Sequence, residues 1–166
     1  FDEQRNNDWI VVLDGAPSPV FEELVTLAAS VSKGLLDDGV PVGLLFAGKK
    51  RSFLAPRSHD KQWPSILLQL AEVNGEGKEP LPRTLAEETN WRAAAGCIIL
   101  TSALSIPLLQ QLRTIASKRQ VVLYVVSREW SHKQQSWADG LRRSGGDVLH
   151  IDPQMLQTIR QGGENG

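Results

Sequence analysis

Short runs of consecutive apolar, β-branched residues alternate along this chain with stretches whose apolar positions recur every three or four residues. The first pattern is that of strands buried on both faces of a sheet, and the second that of amphipathic helices. Trp9 to Leu13, Cys97 to Leu100 and Val121 to Val126 read as parallel core strands. Val40 to Ala47 is a further strand, which the turn Gly48-Lys49-Lys50 folds back on Ser52 to Ala55 as a hairpin. Val148 to Ile151, after the turn Gly145-Gly146-Asp147, is the last strand.

Helices fill the intervals. Ser18 is expected as an N-cap and Pro19 as the first helical residue, with Glu22 and Glu23 favoured by the helix dipole in the first turn. Val20, Leu24, Leu27, Ala28, Val31 and Leu35 then share one face, and Gly39 lies past the end. Further helices are expected over about Lys61 to Val73, with Ile66, Leu67 and Leu70 on the apolar side, and over Leu85 to Ala94. Pro107 to Ser117, Lys133 to Ser144 and a short piece after Pro153 complete the set. Asn74 to Pro82 is a loop rich in Gly, Pro and charge. This order predicts an α/β fold: a three-layer, doubly wound, mostly parallel six-stranded sheet with one antiparallel edge strand and helices on both faces. Residues 1–160 form one domain on this reading, and 161–166 a disordered tail.

Composition narrows the function classes. The 166 residues, 41% hydrophobic and 22% charged, suit one soluble globular domain. Eighteen Lys and Arg against nineteen Asp and Glu give a formal charge of −1, which argues against a duplex nucleic-acid binder. The single cysteine, Cys97, makes neither an internal disulfide nor a multi-thiolate metal site, and reads as a small buried hydrophobe. No apolar stretch approaches the roughly 20 residues of a membrane span, and no signal peptide opens the chain. The chain opens Phe1-Asp2-Glu3 and its only methionine is Met155, so it reads as a piece of a longer protein.

Ligands of open α/β sheets bind outside the carboxyl ends of the strands, where the strand order reverses. The loop after the first strand is therefore the place for chemistry, and it reads Asp14-Gly15-Ala16-Pro17-Ser18. A strand-end carboxylate and a hydroxyl four residues on, both beside a helix start, are ligand types for a hard cation such as Mg²⁺. Against that stand plainer roles: Asp14 accepting backbone N–H bonds, and Ser18 as a simple cap. Other chemistries lack their signatures. The loop has one glycine where a phosphate cradle needs several, and no Gly-x-Ser-x-Gly elbow occurs. An aspartyl phosphotransferase wants a second acid where Ala16 stands. His59, His132 and His150 are scattered and read as surface or packed histidines. Trp130 and Trp137 read as packing over the sheet rather than as a binding surface. Lys49, Lys50 and Arg51 read as solubilising charges at a hairpin tip, and Glu87-Glu88 and Arg142-Arg143 as solvated helix faces.

The opening WIVVLDGAPS, the segment DDGVPVGLLFAGKKRSFLAP and the segment AAGCIILTSALSIPLLQQL resemble the von Willebrand factor A superfamily, and within it the domain-of-unknown-function 58 group. That resemblance implies a metal-ion-dependent adhesion site, built on Asp-x-Ser-x-Ser, a Thr from a later loop and an Asp ending the fourth strand. Residue by residue, Asp14 matches the first acid, Ser18 the last serine and Thr84 the threonine. Ala16 replaces the middle serine, and Ser102 of Thr101-Ser102-Ala103 stands where the second acid belongs. The expected site is thus degenerate: Asp14, Ser18, Thr84 and Ser102, with no cofactor or at most weakly bound Mg²⁺. The resemblance also implies a protein partner of the MoxR-type AAA+ ATPase class, acting in complex assembly or maturation. It further implies a cytoplasmic location, with membrane tethering through regions outside this segment.

Three readings follow. The first is a non-catalytic protein-interaction domain with a degenerate adhesion site, without nucleic acid and without membrane insertion by this segment. The second is a metal-assisted hydrolase or phosphotransferase using Asp14, which would need several convergent ionisable groups. The third is a domain that only fixes its neighbours in a longer chain.

Overall fold

The computed structural model describes residues 7–157. Its strands are β1 (Trp9–Asp14), β2 (Val42–Ala47), β3 (Ser52–Arg57), β4 (Gly96–Thr101), β5 (Gln120–Val126) and β6 (Asp147–Ile151). Its α-helices are α1 (Phe21–Asp37), α2 (His59–Glu72), α3 (Leu81–Glu87), α4 (Ile106–Ala116) and α5 (His132–Arg143), with a 3₁₀ turn at Asn90–Ala93. A further helical stretch occupies residues 153–157. The expected tail, residues 161–166, lies outside the described residues.

One sheet carries all six strands in the order β3-β2-β1-β4-β5-β6. Every pairing is parallel except β2 with β3, the hairpin at the edge. The fold class read from the sequence is the one observed. The three central strands are buried along nearly their whole length, which is why they read as continuous apolar runs rather than as alternation. Their alternate side chains feed two cores. Val11, Leu13, Leu44, Phe46, Ile98 and Leu100 pack under α1 and α2. Ile10, Val12, Leu45, Cys97, Ile99, Leu123 and Val125 pack under α3, the 3₁₀ turn, α4 and α5. Each such fully buried aliphatic side chain contributes about 1.5–3 kcal/mol.

Several local expectations shift. The first helix begins at Phe21 rather than Pro19: Ser18 Oγ accepts from Val20 N–H at 3.1 Å, so the serine closes a turn before the helix instead of capping it. Leu67 is 44% exposed while Ile66 and Leu70 are buried, so the apolar side of α2 is narrower than its sequence suggests. The helix expected over Leu85 to Ala94 starts four residues earlier, because Pro82 sits at its second position, where a missing N–H is harmless. It ends at Glu87, and a separate 3₁₀ turn carries Trp91 into the core, 2% exposed. Ser105 and Ser131 cap α4 and α5, the latter through a reciprocal box with Gln134. Trp130 and Trp137 pack against the second core, as expected.

Candidate functional site

β1 has β2 on one side and β4 on the other, so the chain reverses direction across the sheet between β1 and β4. The carboxyl ends of these two strands flank the crevice where such folds bind ligands. Asp14 ends β1 and Thr101 ends β4, and the register pairs Leu13 with Leu100, which sets the two residues side by side. The Thr101 hydroxyl donates to Asp14 Oδ2 at 2.7 Å, and Ala16 N–H donates to Oδ1 at 3.1 Å. Each carboxylate oxygen thus accepts one internal hydrogen bond, and Asp14 is only 8% exposed. Thr101 Oγ also accepts from Ala103 N–H at 3.2 Å, so one hydroxyl ties the β1 loop to the β4 loop.

Three backbones converge beside Asp14. Gly15 N–H donates to Ala47 O at 2.9 Å, and Gly77 N–H donates to Gly15 O at 2.8 Å. A Cβ on Gly15 would meet Ala47 O and Gly48 Cα, each at 2.7 Å, and one on Gly77 would meet Gly15 O at 2.8 Å. The loop from Val73 to Pro80 thus crosses the sheet top at a point that admits only glycine without backbone shifts.

Ser18 and Ser102 line one cleft of about 470 Å³, with Pro19, Ser127, Arg128 and Pro153. Val20, Val126 and the carboxylates Glu23 and Glu129 complete its lining with Gln157. His150 stacks on Trp130 at 4.6 Å, and its Nε2 is 2.7 Å from Ser127 O, which makes it a packed histidine holding the β5 loop.

Asp14, Ser18 and Ser102 thus gather at the carboxyl ends of the central strands. Thr84 is committed elsewhere: it is fully buried, and its hydroxyl donates to Glu79 Oε2 at 2.8 Å. Glu79 in turn takes two hydrogen bonds from Arg51 Nη2, at 2.7 and 2.9 Å. Arg51 also pairs with Glu87, and Arg83 joins the same cluster. Arg51 is therefore a clamp between the hairpin and α3 rather than a solubilising tip charge, and Glu87 is not a merely solvated residue. The two arginines hold the Glu87 carboxyl down at about 2. The residue that sequence reasoning passed over is Thr101. Its signal was present, since the last residues of adjacent parallel strands lie together.

No family model matches the chain. Over 88 residues, 53% of this chain, it is 27% identical to the uncharacterised protein YeaD of Bacillus subtilis (strain 168), of which the match spans 22%. A von Willebrand factor type A structure from Catenulispora acidiphila superposes with a TM-score of 0.61 over 91% of this chain and 40% of that one, at 16% identity. The fold is von Willebrand factor A-like. The PilB minor pilin of Streptococcus sanguinis superposes with a TM-score of 0.55 over 97% of this chain and 62% of its own, at 10% identity. This chain spans less than two thirds of each of these three proteins.

The von Willebrand factor A-like fold raises the question of the adhesion-site cation. The residues present do not fit it. Mg²⁺ favours anionic oxygens. Of the four matched positions only Asp14 is a carboxylate, Ser18 and Ser102 bring neutral hydroxyls, and the Thr84 hydroxyl is spent on Glu79. Among the described residues no three of His, Cys, Asp or Glu come together as ligands. Nor is any helix among them long and apolar enough to cross a membrane.

Proposed function

We propose that this chain is a non-catalytic protein-interaction domain that meets its partner at the carboxyl ends of β1, β4 and β5, without a metal ion. One observation carries the reading: an open cleft at the switch point of the sheet is lined by apolar Pro19, Val20, Val126 and Pro153 together with polar and charged Ser102, Glu23, Arg128 and Glu129. Apolar lining interleaved with polar and charged side chains is the composition of a docking surface. The reading is non-catalytic because an enzyme of this kind needs several convergent ionisable groups, and no matched base stands beside Asp14 among the hydrogen bonds that hold it.

The partner class is a MoxR-type AAA+ ATPase, with this domain forming part of a longer, membrane-tethered protein that acts from the cytoplasm in complex assembly or maturation. The motif resemblance in WIVVLDGAPS and AAGCIILTSALSIPLLQQL supports that assignment. Interferometry with the purified domain and a purified MoxR-type ATPase tests it. Pro19→Asp together with Arg128→Glu, both at exposed positions in the cleft lining, is expected to weaken binding at least about tenfold, equivalent to about 1.4 kcal/mol. Leu68→Asp, at an exposed position on α2, is expected to change nothing, and neither is EDTA. Equal binding by all variants would refute the sheet-top surface, and no binding by the unaltered domain would refute the partner class.

A further inference from the structure

A second cleft, of about 390 Å³, lies near the amino ends of β4 and β5, away from the sheet top. Arg92, Lys118 and Arg119 line it, and no acidic residue does. Among the described residues none of the three cations belongs to an ion pair, in a chain whose formal charge is −1. Favourable interaction with helix carboxyl ends explains a cation near each such end. It does not explain three unpaired cations around one cleft.

Two of them are preorganised by one ring. Arg92 and Arg119 lie 5.9 and 5.4 Å from the ring centroid of Trp91. Trp91 is itself fixed, 2% exposed, with its indole N–H donating to Leu85 O at 3.2 Å. Arg92 is held further by donation from Nη2 to Ala86 O at 2.8 Å. A guanidinium anchored over an aromatic ring loses little side-chain entropy when it takes an oxyanion.

The same lining contains a donor and an acceptor without hydrogen-bond partners, Arg119 Nε and Gln111 Oε1. Both atoms are buried, on side chains that are only partly so, and Gln111 is held by donation from Nε2 to Pro82 O at 2.9 Å. Leu85, Trp91 and Ile115 supply apolar walls. A peptide carrying a carboxylate brings an anionic oxygen, an amide N–H and aliphatic surface together, and so meets every part of this lining. A bare phosphate dianion brings neither an amide N–H for Gln111 Oε1 nor aliphatic surface for the apolar walls.

We infer that this cleft is a second docking site, which takes a carboxylate carried on an acidic segment of a partner polypeptide. It is separate from the sheet-top surface and stands whether or not that surface binds its partner. The test is a ¹H–¹⁵N titration of the domain with an acetylated, amidated peptide of alternating Leu and Glu, following the Trp91 indole N–H. A Gln-for-Glu peptide and inorganic phosphate, at matched ionic strength, are the comparison arms. The Glu peptide is expected to move the Trp91 signal saturably and the Gln peptide to leave it in place. Lys118→Gln, at an exposed position, is expected to raise the dissociation constant at least about threefold with the spectrum otherwise unchanged. Arg92→Gln added to it is expected to abolish the shift. The inference is overturned if the Trp91 signal stays fixed, if the Gln peptide moves it equally, or if Lys118→Gln binds like the parent. Tighter binding of phosphate than of the peptide overturns it too.

Discussion

At the scale of single residues, Asp14 is the hinge of the candidate site. Replacing it with Ala leaves Thr101 O–H and Ala16 N–H without their acceptor in a nearly buried place. Such a loss costs about 1–3 kcal/mol, less whatever Thr101 recovers by turning to Ala103 O, 3.3 Å away. Urea unfolding of Asp14→Ala should therefore show a destabilised but folded domain. Cys97 is fully buried, and burial pushes its thiol up to about 12. Native protein at pH 8 should leave a thiol reagent unreacted, and unfolded protein should consume one equivalent at once. Glu87 behaves in the opposite sense. Hydrogen bonds from Arg83 and Arg51 lower its carboxyl from an ordinary 4.5 to about 2. A carboxyl lowered in the fold contributes stability above pH 4.5, and that contribution fades as the pH falls towards 2. In a carboxyl ¹³C titration, Arg83→Gln should move the Glu87 midpoint up towards its ordinary value.

At the scale of elements, two glycines make a matched experiment. Gly34 lies in the interior of α1, exposed, and a Cβ there would meet nothing within 4 Å. Gly34→Ala should stabilise the domain by about 0.5–1 kcal/mol, since glycine loses more backbone freedom in a helix. Gly15→Ala meets backbone at 2.7 Å on two sides and should cost about 1–3 kcal/mol, with the loss concentrated at the loop crossing. Thermal or urea unfolding of the pair checks both signs at once. The division of the Leu85 to Ala94 region into α3 and a 3₁₀ turn has a similar local cause and a tertiary one. The N-terminal proline sets the start of α3 early, and burial of Trp91 rewards ending the helix before it.

At the scale of the whole molecule, the two candidate surfaces lie at opposite ends of the sheet, one lined by Pro19, Ser102 and Arg128 and one by Arg92, Lys118 and Arg119. Loss of either by substitution should leave the other's binding unchanged, because sites that share no residues couple weakly. The sequence by itself determined the α/β class, the order of strands and helices, the buried state of Cys97 and the place of the Asp14 loop. All of these follow from local periodicity and from the rule that parallel strands need crossover helices. Only the tertiary structure decided how the polar side chains are spent. Thr101 reaches Asp14 across 87 positions, and Arg51 reaches Glu79 across 28. It also turned Thr84 from a ligand candidate into a support for Glu79. A hydroxyl or guanidinium looks alike in sequence whether it faces water, a carboxylate or a partner. Its partner is chosen by chain closure, and chain closure is a property of the packed sheet.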